Sequence, residues 1–67
     1  LDKERAQWGQ RMNAWLSERA GILGNTALGE QDRQEQVARL RQQRFQPDEI
    51  VRVESLERMH DRGEKLP

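Results

Sequence analysis

Residues 1–23, LDKERAQWGQRMNAWLSERAGIL, decide how this chain is read. At about 100° per residue, Leu1, Trp8, Met12, Trp15, Leu16, Ile22 and Leu23 gather within about a third of a helical wheel. The remainder of the stretch is Arg, Lys, Glu, Gln, Asp, Asn and small residues. A stripe holding both tryptophans of the chain has to be covered, either by the sequence that follows or by a partner. The stripe is in phase from Leu1, with no capping residue ahead of it and no initiator Met. The expectation is that the chain begins inside a longer helix, as a piece of a larger, extended helical protein.

Outward from this helix, the sequence punctuates itself into two more. Gly24-Asn25 predicts a left-handed stop, and the irregular stretch 24–29 should tuck Leu28 inward. A second helix, about 30–45, starts behind Gly29 with Glu30 and Asp32 at its positive end and carries Val37, Ala38, Leu40 and Phe45. Pro47 suits the first position of a third helix, about 47–62, with Asp48 and Glu49 in its first turn. Phe45 and Ile50 are spaced as a hydrophobic staple, and Glu49 stands where a capping-box acid would, although Gln46 is a poor cap. Ile50, Val51, Val53, Leu56 and Met59 follow, Gly63 ends the helix, and 63–67 should be a frayed tail.

The fold class expected is all-α: one helical module over 1–67, a small three-helix bundle with a longer first helix. Trp8, Met12, Leu40, Phe45, Val53 and Leu56 are its candidate core. The first helix would measure about 33 Å against roughly 24 Å for the others, so its N-terminal end should lean on sequence beyond this chain. Gly9 costs about 1 kcal/mol relative to Ala inside a helix, which predicts tertiary support at that turn.

Composition narrows the function. Only 33% of residues are hydrophobic while 36% are charged, so the core is thin and stability marginal. Twelve basic residues cancel twelve acidic ones, which argues against nucleic acid as a partner, since phosphate binding needs a basic face. Arg33, Arg39, Arg41 and Arg44 lie among Glu30, Asp32 and Glu35 and read as solvated helix surface. Without cysteine there is no disulfide framework or thiol chemistry, and no apolar run approaches a membrane span.

Catalysis finds no constellation. His60 is the only histidine, and its Glu57-x-x-His60 spacing lacks the second pair and the extra glutamates that a carboxylate-bridged metal site needs. Ser17 and Ser55 have no base and orienting acid around them. The carboxylates read as solvated, ion-paired surface, and neither an enzyme nor a cofactor or metal is expected. Trp8 and Trp15 share a face and read first as core. Arg5 and Arg19 share that arc and read as snorkelling stems. In the sharper reading, Trp15 and Arg19 lie at the bundle edge and touch a partner, because aromatic and Arg side chains dominate interface hot spots. Arg52 and Met59 complete the set of candidate partner-binding residues.

The succession LDKERAQW (1–8), GNTALGEQDR (24–33) and ARLRQQRF (38–45), followed by Glu49, Arg52, Val53, Leu56, Glu57 and Met59, resembles the C-terminal part of bacterial lipase chaperones, the lipase-specific foldases. The resemblance covers essentially the whole chain. It rests on the ordered set of Trp8, Gly24-Asn25-Thr26, Leu28 and Arg44-Phe45 ahead of Glu49. Gly29 and Gln46 stand where relatives commonly carry a Ser cap. The resemblance implies a periplasmic steric foldase whose parent is anchored in the inner membrane and clasps a secreted lipase between two small helical domains. This chain would be the C-terminal small domain, working without membrane contact of its own, as a monomer or in a 1:1 complex with its client. The family's activating R-x-x-F-D-Y motif belongs to the other small domain and does not occur here, so the implied role is affinity for the lipase without activation. The alternative, from another class, is a structural segment whose stripe pairs with a second copy.

Overall fold

A computed structural model describes residues 2–64, and these form three helices: α1 (Asp2–Leu23), α2 (Glu30–Arg44) and α3 (Pro47–Asp61). Leu1, the first residue of the stripe, and 65–67, the end of the expected tail, lie outside the described residues. The helix ends follow local chemistry. Glu30 and Asp32 occupy the first turn of α2, while Arg41 and Arg44 occupy its last, each matched to the helix dipole. Phe45 is extended (φ −131°, ψ 152°) and caps α2, so that helix stops one residue short of the expected end. Gln46 has no left-handed strain either, and its N–H donates to Glu49 Oε1 at 2.9 Å, which is the acid's half of a capping box. Arg62 caps α3, and Gly63 follows at φ +79°, the only left-handed residue among those described.

One stop signal works differently from expectation. Neither Gly24 nor Asn25 is left-handed. The end of α1 tightens instead, with Asn25 N–H donating to Ile22 C=O at 3.1 Å, a bond three residues back that keeps φ negative. The Asn25 side chain then accepts from Ala27 N–H at 3.1 Å and turns the connection. Leu28 is half-buried, and its carbonyl accepts from the Arg33 guanidinium.

The core is the α1 stripe with one residue set from each of the other helices. Met12, Trp15, Leu16, Val37, Phe45, Val53 and Leu56 are buried, and Trp8, Ile22, Leu23, Leu40, Ile50 and Met59 pack against them half-covered. The expected core is therefore present, with Trp8 and Leu40 at its margin and Trp15, Leu16 and Val37 inside it. Phe45 stands at the centre, edge-on to Trp8 (5.7 Å between ring centroids) and to Trp15 (6.2 Å). Val51, on the far side of α3, is 74% exposed and belongs to no core. The support expected at Gly9 is absent: a Cβ there would meet nothing within 4 Å.

α1 and α3 run in the same sense, because Arg11, Trp15 and Arg19 meet Glu49, Glu57 and Asp61 in ascending order. α2 is the return stroke, joined to α3 through only Phe45 and Gln46. With extents of 41 × 25 × 17 Å and a radius of gyration of 12.5 Å, the module is longer than a sphere of its size, for which about 11 Å is expected. The excess is the opening of α1, whose residues 3–7 are exposed on all sides.

Candidate functional site

At the heart of the bundle lies a carboxylate. Glu57 is 4% exposed, and its two oxygens take every polar group that α1 and α2 aim at it. Trp15 Nε1 donates to Oε2 at 2.7 Å, and Arg41 makes a two-point fork, Nε to Oε2 at 2.9 Å and an NH group to Oε1 at 2.6 Å. Arg19 Nε lies 3.5 Å from Oε1, near enough for charge attraction but without hydrogen-bond geometry. It is the buried side-chain nitrogen left without a hydrogen-bond partner among the described residues. The rest of the Arg19 guanidinium forks onto Asp61 at 2.9 and 2.8 Å. A charge taken this far from water persists only when its lone pairs are satisfied, and here one carboxylate satisfies all three helices at once.

Two further forks tie α1 to the joint between α2 and α3. Arg11 grips both oxygens of Glu49 at 3.0 and 2.9 Å and also donates to Arg44 C=O, while Arg44 grips Glu18 at 3.1 and 2.8 Å. Hydrogen bonding to Arg44 holds the Glu18 carboxyl below its ordinary range, and Arg19 does the same for Asp61. Glu49 is lowered first by its bond from Arg11, then by the Gln46 N–H, with smaller help from the charges of Arg11 and Arg52.

The sequence predicts solvated faces for the carboxylates and for Arg33, Arg39, Arg41 and Arg44. For Glu57 and Arg41 this is corrected, and the reason lies in their phase. Glu57 falls one turn beyond Val53 and two beyond Ile50, inside the apolar arc of α3, and Arg41 falls between Val37 and Phe45 on the arc of α2. A charged residue of each sign on two facing apolar arcs is the signal that could have found the pair.

The four candidate contact residues are split by the fold. Trp15, read first as core and in the sharper reading at the bundle edge, is 2% exposed: Phe45 packs against it and Glu57 takes its N–H, so the core reading holds. Arg19 is largely covered by its two carboxylates. Met59 is half-buried against the core. Arg52 alone of the four is well exposed, and its guanidinium lies over the Trp8 ring at 4.3 Å from the centroid.

That cation–ring contact borders a groove of about 490 Å³ between the first half of α1 and the middle of α3. Trp8, Met12 and Leu56 form its apolar floor, Gly9 leaves it open, and Arg5 and Arg52 stand on its rim. Its lining combines apolar surface with two guanidinium groups and the neutral Asn13. Among the described residues, no set of three or more His, Cys, Asp or Glu side chains could hold a metal ion, and no helix is long and apolar enough to cross a membrane.

Comparison with known proteins places this architecture. The family model for the proteobacterial lipase chaperone protein matches residues 1–50. The chain belongs to the lipase chaperone family. A lipase chaperone of Vibrio cholerae serotype O1 is 38% identical over 64 residues, 96% of this chain and 22% of that protein. One from Chromobacterium violaceum is 42% identical over 53 residues, covering 79% of this chain and 18% of its own length. One from Acinetobacter baylyi is 34% identical across the whole chain, which is 20% of that protein. The chain thus spans about a fifth of the length of the curated lipase chaperones it matches. No solved structure matches it.

Proposed function

We propose that this three-helix module is a client-binding part of a periplasmic lipase-specific foldase whose parent chain is anchored in the inner membrane. It clasps a secreted lipase and assists its folding without bond chemistry, and its work is done by binding energy that favours one client conformation over others. The observation that carries the reading is the likeness to lipase chaperones along nearly the entire chain, in a module whose groove offers contact surface. Arg52 and Met59 are its direct contact residues, while Trp15 and Arg19 act from within by holding α1 and α3 in place. The module acts as a monomer or as one partner in a 1:1 complex.

The test is a pair of measurements with the secreted lipase of the same bacterium. The isolated chain is expected to be retained by immobilised, partly folded lipase. Added alone to denatured lipase, it should recover no esterase activity. Failure of retention would overturn the binding role, and recovery of activity would overturn the division between holding and activating.

A further inference from the structure

The charges of this module are not spent evenly. Arg11, Arg19, Arg41 and Arg44 each bridge helices through a two-point fork on Glu49, Asp61, Glu57 or Glu18. Arg5 and Arg52 make no ion pair among the described residues, and both stand on the rim of the Trp8 groove. Glu49, one turn before Arg52 on α3, has its oxygens already taken by Arg11 and by Gln46 N–H. No acidic side chain lines the groove, whose other polar wall residue is the neutral Asn13.

From this we infer that the groove is a docking surface for an acidic, apolar-tipped peptide segment. One large apolar side chain of the segment seats between Trp8, Met12 and Leu56, and flanking carboxylates reach Arg5 and Arg52. Charge complementarity selects the occupant. A chain that is neutral overall has gathered two cations with no ion pair among the described residues around Trp8, the one aromatic side chain that is not buried, the pattern by which Arg clusters recognise acidic segments. A groove of about 490 Å³ has room for one such side chain. Arg52 already lies on the indole face, so it is pre-positioned over the seat. The inference rests on the client-binding reading for the identity of the partner, an acidic stretch of the folding lipase.

The experiment follows indole and amide resonances of the ¹⁵N-labelled chain while peptides of known sequence are added. Acetyl-DELFED-amide should shift the Trp8 indole N–H and the Gly9 amide, leaving the Trp15 indole, which is locked to Glu57, in place. The basic counterpart acetyl-KKLFKK-amide should do nothing. Arg5→Glu with Arg52→Glu should weaken the acidic peptide by about tenfold or more, whereas Arg39→Glu with Arg58→Glu, the same charge change away from the groove, should not. The inference is overturned by any one of three results: no shift at millimolar acidic peptide, equal shifts from the basic peptide, or a response to decanoate in place of the peptide. Lipase retention separates this idea from the broader one. Retention by the unaltered chain that survives the Arg5/Arg52 reversal removes the groove alone, and peptide binding without any lipase retention removes the client role alone.

Discussion

Replacing Glu57 by Gln should be among the most damaging conservative changes available to this chain. The substitution keeps the shape but removes the charge, and it turns one acceptor into an N–H₂ facing donors. Three hydrogen bonds now converge on the carboxylate, one from Trp15 and two from Arg41, with the Arg19 charge at longer range. An amide oxygen can serve two of them at most, and the Arg41 guanidinium, with its side chain 16% exposed, keeps its charge without its main counter-ion. Breaking a fully buried pair from one side costs about 3–5 kcal/mol. Arg41 retains some water and a second acid, Glu54 at 3.8 Å, so about 2–4 kcal/mol is expected here. A domain of this length has a total of roughly 3–10 kcal/mol. Thermal unfolding followed by circular dichroism should show Tm lower by about 10–20 °C. The partner experiment replaces both charges, Glu57→Leu with Arg41→Met, and should return only part of that loss: the apolar pair needs no solvation, but the buried Trp15 N–H is left without its acceptor. A Tm for Glu57→Gln within 2 °C of the parent, on the order of half a kcal/mol, would refute the claim that this carboxylate organises the interior.

The remaining expectations are simpler. Gly9→Ala and Gly21→Ala place a methyl in open space on a helix and should each raise stability by up to about 1 kcal/mol in urea titration, with the slope unchanged. Phe45→Ala should cost about 3–5 kcal/mol and leave the chain largely unfolded at 37 °C by circular dichroism, since both indoles lose their edge contact. Val51→Lys should stay within about 0.5 kcal/mol of the parent, the outcome expected of an exposed site. The carboxyls of Glu18, Glu49 and Asp61 are depressed in the folded chain, so the stability they add is complete above their ordinary titration range, near pH 4. It is lost as pH falls through their lower folded values. Tm should therefore drop between pH 5 and pH 2 and stay flat from pH 6 to pH 8. High salt should shrink the drop, because these three groups are near the surface.

Helix phase was legible because it is a local property. The α1 stripe, the Gly63 stop and the Pro47 start each follow from residue type and spacing, and all three are present. The depth of Trp15 was not legible from α1 alone. Its burial depends on Phe45, thirty residues away, and on a carboxylate from α3. The Gly24-Asn25 turn misled for a related reason: glycine permits the left-handed region but does not require it, and the Asn25 bond to Ile22 closes the helix without it. The groove was half visible. Arg52 was already among the candidate contact residues, while its seat on Trp8 exists only once α1 and α3 lie side by side.

Phe45 does two jobs, one with its backbone and one with its ring. Its backbone ends α2 and begins the two-residue joint to α3, and its ring fills the space between the indoles of α1. A hairpin of the last two helices therefore cannot settle its own corner until the first helix arrives, and the first helix has no lid until that corner forms. Assembly and loss of structure should consequently be a single cooperative event, with no surviving helical pair, and calorimetric and van't Hoff enthalpies should agree.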